Sequence, residues 1–400
     1  MTNTNKGLFS LYISLFTLIL FFNGCEDPGN VGSGFVNEPT IKIDTLYLDD
    51  ITAESFEAFS GNISVFNIGL YSDQVFGDVK ATGLVKPNLY TNASNIDGNN
   101  FTLNLEVQLD SAIVYGDTTS QASFTLYEIN SLWRGNSQFV NSPVSYDESQ
   151  SIGSFVVGDE KRFSVELSDY WRDKYASYIN NENDNVDSLY RYEFFGLAIV
   201  PDNSANKISA VDVGNSNFTL VDAEDDTVNL GMSSQGYFLE RTNSNIGDPS
   251  ITPVYSTLEQ MMRINLPMQE LEQDYKGANL LSVDLVVYEA DQELSNSLPA
   301  NHVRPSVNAL TVNLRAESDE VYDYQITGPD FFAPKNSDSP YYEANITPYI
   351  NNLFFGGEST TEILVGLRSG SGVLRSTLLH NQSASQELRP KLIITSTVNE

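Results

Sequence analysis

From residue 41 onward, apolar side chains recur at every second position rather than every third or fourth. Residues 41–48 (Ile-Lys-Ile-Asp-Thr-Leu-Tyr-Leu), 62–70, 101–107 and 123–129 alternate or nearly alternate between apolar and polar. A period of two is the signature of a strand with one buried face. Between these runs lie clusters such as 96–100 and Tyr115-Gly116-Asp117, read as turns because Gly and Asn tolerate positive φ. Helical spacing is confined to short pieces at 167–179, 347–354 and 258–262. The pattern predicts an all-β protein of antiparallel sandwiches with a few short helices, each half carrying enough short strands for a two-sheet sandwich of jelly-roll type.

The two halves repeat one plan. Residues 109–115 answer to 280–288, 165–171 to 344–350, and 193–199 to 362–368. Ser111 and Gly196 stand 85 positions apart, and Ser282 and Gly366 stand 84 apart. That agreement points to a duplicated domain. The polar stretch 241–249, with Ile246 its one core-type residue, is the expected boundary, giving a first sandwich over 41–242 and a second over 250–400.

The N-terminus follows a different rule. After Lys6, residues 8–22 are apolar apart from Ser10, Ser14 and Thr17, and Asn23-Gly24-Cys25 follows. This core is too short to span a membrane comfortably and fits the h-region of a secretory signal over 1–24. Gly24 is small enough for cleavage, and Cys25 is the residue that a bacterial lipoprotein signal peptidase leaves at the new N-terminus. The expectation is acylation at Cys25, the single cysteine, and a membrane contact made through those acyl chains. Residues 25–40, acidic and Gly-rich at their start, read as a tether.

Composition narrows the partners. With 53 Asp and Glu against 21 Lys and Arg the net charge is −32, which disfavours nucleic acid and direct adsorption to anionic lipid. One cysteine permits no intramolecular disulfide. His302 and His380, the two histidines, lie far apart with no ligand-type spacing. There is no P-loop, dinucleotide fingerprint or serine elbow, and the chain is read as a non-enzyme without a cofactor.

Two kinds of binding residue stand out. Trp133 and Trp171 are the only tryptophans; burial in a core is the favoured role for so large an apolar surface, and the alternative is a face that stacks sugars, with Tyr170, Tyr341 and Tyr342 beside them. The oxygen-rich loops holding Asp184 and Asp187, and Asp222, Asp225 and Asp226, are candidates for a structural calcium, which takes six to eight oxygens. Their default role is a solvated acidic loop.

The lipoprotein start, Val31-Gly32-Ser33-Gly34-Phe35, Ile43-Asp44-Thr45 and Gly69-Leu70-Tyr71-Ser72-Asp73-Gln74-Val75-Phe76-Gly77-Asp78 together resemble Bacteroidota lipoproteins of domain-of-unknown-function family 4270, over nearly the whole chain. Acidic Glu26 and Asp27 behind Cys25 resemble the signal that takes such lipoproteins to the outer surface. Phe124 to Trp133 and Arg389 to Thr395 resemble, more weakly, the strand-plus-Trp and closing strand of jelly-roll carbohydrate-binding modules. The first resemblance implies an outer-membrane lipoprotein facing outward and brings no known activity, and the second carries architecture without a sugar. An anchor, a rigid β scaffold that can present loops and no assembled catalytic constellation make binding of a glycan or a partner envelope protein the expected work. The rival expectations are a polysaccharide-active enzyme and a structural subunit of an outer-membrane complex.

Overall fold

A computed structural model describes residues 40–61, 63–90, 100–179, 185–224, 226–256, 259–315, 330–367 and 372–398. The signal segment, Cys25 and the tether through residue 39 lie outside the described residues. The described chain is all-β, with antiparallel ladders between its strands and a few short helices.

Two sandwiches carry the strands. In the first, one sheet runs Thr227–Leu230, Asn217–Asp222, the first half of Phe101–Asp117, then Arg162–Glu166. The facing sheet runs Lys207–Asp212, Val65–Asp73, Gly77–Pro87, Leu197–Pro201, Ala122–Ile129, Tyr146–Val157, with Met232–Thr242 along the free side of Gly77–Pro87. The reason is visible in the strand Phe101–Asp117: Phe101, Leu103, Leu105, Val107 and Leu109 are buried while the residues between them are partly exposed. Its apolar face meets Phe124, Leu126 and Ile199 of the other sheet in one core, as a period of two requires.

The second sandwich repeats this order strand for strand. One sheet runs Thr40–Tyr47, Lys391–Val398, Asn279–Tyr288, Tyr341–Asn345. The other runs Ser376–His380, Ile251–Tyr255, Gln260–Asn265, Glu362–Gly366, Ala309–Arg315, Phe331–Pro334, with Ile51–Ser55 along Gln260–Asn265. Val283, Leu285, Leu392 and Ile394 face Ile264, Val312 and Val365 across its core. The shared order supports duplication, and it corrects the expected domain boundary. Residues 40–55 belong to the second sandwich, not the first. Thr40 pairs with Val398 and Tyr47 with Lys391, Ile51 pairs with Ile264 and Ser55 with Gln260, and Leu48 and Ile51 enter the second core. They stand where Thr227–Leu230 and Met232–Thr242 stand in the first unit, so the chain supplies from its N-terminal side the two strands that its C-terminal copy lacks.

Two local expectations also change. Of the expected helix at 258–262, residue 258 lies outside the described residues and 259–262 are not helical: Gln260–Asn265 is a central strand with Met261, Met262 and Ile264 fully buried. Tyr115-Gly116-Asp117 is not a turn. The strand continues through Gly116 at φ +114°, and a Cβ there would lie 2.7 Å from the Tyr71 ring and from the Asn206 carbonyl oxygen, so glycine is required. The expected helices appear as Asp169–Ile179 and as Thr347–Asn351 followed by a π turn, Asn352–Gly356.

The turn between Val65–Asp73 and Gly77–Pro87 joins the two sandwiches. Asp73 Oδ1 accepts the amides of Val75 and Phe76 at 2.8 and 3.0 Å. Arg304 from the second half donates Nε to Oδ2 at 2.7 Å and Nη2 to Oδ1 at 2.8 Å, and the Tyr115 hydroxyl donates to Oδ2 at 2.9 Å. Phe76, fully buried, packs with Ile251, Tyr255, Ala290 and Leu378 of the second unit. His302 and Val303 add two residues of ladder to Asp117 and Gly116 of the first. The stretch 69–78, noted for its family resemblance, thus builds the joint between the units.

Candidate functional site

The five aromatic candidates do not form one platform. Trp171 is fully buried in the first core, its ring 4.9 Å from Phe194. Tyr342 is fully buried in the second, its hydroxyl donating to Glu289 Oε1 at 2.7 Å. Neither can stack a sugar; each fills a core because its large ring has an apolar face to cover. Tyr341 is half-buried, 5.6 Å from the Tyr288 ring, and its hydroxyl accepts from Asn336. Tyr170 is exposed on the helix Asp169–Ile179 and donates to Glu128 Oε2 at 3.1 Å. Trp133 is 9% exposed, with Nε1 donating to the Phe195 carbonyl at 2.7 Å. Trp133 borders a sizeable cleft.

That cleft, about 590 Å³, opens at one end of the first sandwich. Lys86 enters from the end of Gly77–Pro87, Leu132 to Gly135 from the loop after Ala122–Ile129, Tyr190 to Tyr192 from the last turn of the helix Val186–Glu193, and Ser233 and Ser234 from the start of Met232–Thr242. Gly196, at φ +93°, lets the chain turn from that helix into the strand Leu197–Pro201; a Cβ there would meet the Val85 carbonyl oxygen at 2.3 Å. Leu132 and Tyr192 are 65% and 59% exposed, an apolar edge available to a ligand.

Three cations converge on it. Lys86 is buried, and Nζ donates to the Tyr190 carbonyl at 2.9 Å and lies 4.4 Å from the Tyr190 ring centre. The lysine therefore closes the C-terminal end of the helix, where carbonyls point outward and favour a cation. Burial, and then the Arg191 charge, push its pKa down to about 8. Arg134 lies over the Phe139 ring at 4.5 Å, a cation–π contact. Sequence reasoning missed all three, yet Trp133-Arg134 and Arg191-Tyr192 each set a cation beside an aromatic, a signal that was there to read.

The acidic candidates sit elsewhere or do other work. Asp184 and Asp225 lie outside the described residues. Asp187 lines the cleft, exposed, in the first turn of Val186–Glu193. Asp222 Oδ1 accepts the amides of Glu224 and Asp226 at 2.9 and 3.0 Å, so it closes its own turn. Among the described residues no group of three or more His, Cys, Asp or Glu is placed to hold a metal ion. A second cavity of about 390 Å³ lies at the joint. There Arg241 Nε meets Glu259 Oε1 at 2.5 Å and the guanidinium lies 4.3 Å from the Tyr255 ring centre. That pair already balances its own charge.

No protein-family model matches the chain, and no curated protein matches it in sequence. Among solved structures it is similar, at 9% identity and a TM-score of 0.16, to the CBM22-1–CBM22-2 tandem domain of Paenibacillus barcinonensis Xyn10C, over 88% of this chain and 97% of that one. The C-terminal domain of the Streptococcus agalactiae AgI/II polypeptide BspA gives 9% identity and a TM-score of 0.15 over 88% and 92%. Likenesses this slight carry no argument about ligand or fold, and the functional reading stands on the geometry.

Proposed function

We propose that the protein is a non-catalytic lipoprotein, anchored through Cys25 on the outer face of an outer membrane, that binds a glycan in the cleft beside Trp133. The observation that carries this reading is the lining of that cleft. Exposed Tyr192 and Leu132 offer apolar surface, and Ser233, Ser234 and Arg134 offer hydrogen-bonding groups at one end of a rigid sandwich. Concave sites that pair apolar area with a few polar groups are where small ligands bind, and loops held by a scaffold are where binding residues concentrate.

The test is isothermal titration of the mature chain with a panel of soluble polysaccharides, repeated with Tyr192→Ala. The expected result is binding to at least one polymer and a loss of tenfold or more in the variant. No binding across the panel, with capture of an outer-membrane protein on an affinity column instead, would replace the glycan reading by a partner-protein one.

A further inference from the structure

The cleft's charge is opposite to that of the molecule around it. The chain carries 53 acids against 21 Lys and Arg, and elsewhere among the described residues most cations lie against carboxylates, although buried Lys207 donates to the Ser120 carbonyl instead. Arg304 is held by Asp73, Arg241 by Glu259, Lys335 by Glu289, Arg263 by Glu54 and Glu362, and Arg172 by Asp169 and Asp173. At the cleft the pattern fails. Among the described residues, Lys86, Arg134 and Arg191 form no ion pair, and the single carboxylate in the lining is Asp187.

Lys86 has a structural task in closing the helix end, but a neutral ligand gives no use for the exposed charges of Arg134 and Arg191 set beside it. Lys86 is 8% exposed, so its ammonium has lost most of its water and gained carbonyls and a ring, but no anion. Placing Arg191 beside it adds like-charge repulsion. Clustered cations with low-dielectric walls create a local positive field, and such a field lowers the free energy of a bound anion most where solvent is excluded. Arg134 and Arg191 are exposed, and a guanidinium presents a planar fork that fits a carboxylate or sulfate. Both flank the apolar edge of Tyr192 and Leu132, so ring and charge of one ligand have separate places to go.

We propose that the cleft takes an acidic saccharide, a sugar ring bearing a carboxylate or sulfate group that is met by Lys86, Arg134 and Arg191 while the ring lies against Tyr192. This rests on the glycan reading above and specifies its ligand class. No covalent step is involved; the site is one of recognition.

The experiment is titration of the mature full chain at pH 7 with polygalacturonate, with the same polymer after its carboxyl groups are reduced to alcohols, with dextran sulfate, and with neutral dextran. Each is repeated with the Arg134→Gln/Arg191→Gln double variant, which removes both charges and leaves shorter polar side chains, and with Arg162→Gln as a distant control. Wild type should bind an acidic polymer at least tenfold more tightly than its neutral counterpart, the double variant should lose that preference, and the control should keep it. The two acidic polymers separate carboxylate from sulfate. Equal binding of native and reduced polygalacturonate together with equal binding of sulfated and neutral dextran overturns the acidic ligand but leaves the glycan reading standing. Acidic preference that survives in a folded double variant places the site elsewhere and overturns the proposal. Binding of none of the four defeats it outright, and the wider panel then decides the glycan reading separately.

Discussion

Replacing Asp73 by alanine should uncouple the two sandwiches. Asp73 receives five hydrogen bonds, from Arg304 Nε and Nη2, Tyr115, Val75 and Phe76. Its side chain is 0% exposed, and that of Arg304 is 11%. Alanine strands a guanidinium and leaves the Tyr115 hydroxyl without its acceptor. Breaking one partner of a buried ion pair costs about 3–5 kcal/mol, roughly two to three and a half decades in the unfolding equilibrium. With a guanidinium chloride slope of about 4 kcal/mol/M, the midpoint should fall by roughly 1 M. Trp133 and Trp171 both belong to the first sandwich, so tryptophan fluorescence reports that unit while far-UV circular dichroism reports both. The two transitions should coincide in the native chain and separate in the variant. Protonation gives an independent check. Burial alone would raise the pKa of Asp73, but the Arg304 bonds and the two amides outweigh it and hold the carboxyl below its ordinary 3.8. The folded value lies below the unfolded one, so the contribution is complete above 3.8 and is lost as pH falls through that value and below. Between pH 5 and pH 3 the native protein should lose more stability than Asp73→Ala does. Coincident transitions in the variant, with a loss under about 1 kcal/mol, would refute the joint as described.

Two further outcomes follow from the second sandwich. A chain starting at residue 56 lacks both N-terminal strands along with Leu48 and Ile51; its second unit should bind the dye ANS and lose dichroism, and synthetic peptide 40–55 should abolish the dye binding and restore the dichroism, whereas native-like dichroism without the peptide would contradict the strand pairing. Tyr342→Phe removes the hydroxyl donor to Glu289, which is 5% exposed and also accepts from Thr377 at 2.6 Å; it should cost about 1–3 kcal/mol by chemical denaturation, and a change under about 0.3 kcal/mol would mean that the network compensates.

What the sequence disclosed follows from what local chemistry can encode. Alternation in residues 101–107 and 123–129 marks strands because each strand has one wet and one dry face, and those strands appear at Phe101–Asp117 and Ala122–Ile129. The short run 258–262 could not be assigned by periodicity, since a few consecutive apolar residues suit a buried strand as well as a helix. Gly116 looks like a turn residue because glycine permits positive φ; here the permission serves a crowded strand instead. The cleft was illegible for another reason. Lys86, Arg134 and Arg191 are separated by 48 and 57 positions, and no spacing rule links residues that meet only because three strands and a helix end at the same edge.

Partner choice was the largest hidden quantity. Residues 41–48 declare a strand by their pattern, but an alternating strand pairs with any compatible edge, and nothing local distinguishes the neighbouring first sandwich from a strand some 350 positions later. The choice shows in the pairing: residues 40–47 lie beside Lys391–Val398 and 51–55 beside Gln260–Asn265, the places that Thr227–Leu230 and Met232–Thr242 fill in the first unit. That pairing bears on the proposed anchoring. A tether of about 15 residues reaches at most roughly 50 Å, and it runs from Cys25 to Thr40 in the second sandwich. The lipid would therefore hold the second unit near the membrane, while the cation-lined cleft belongs to the first, joined to it through Asp73, Arg304 and Phe76. Under that proposal anchor and cleft lie on different units, and the joint between them, a buried ion pair and an inserted ring, is what would hold the cleft in a fixed place relative to the anchor.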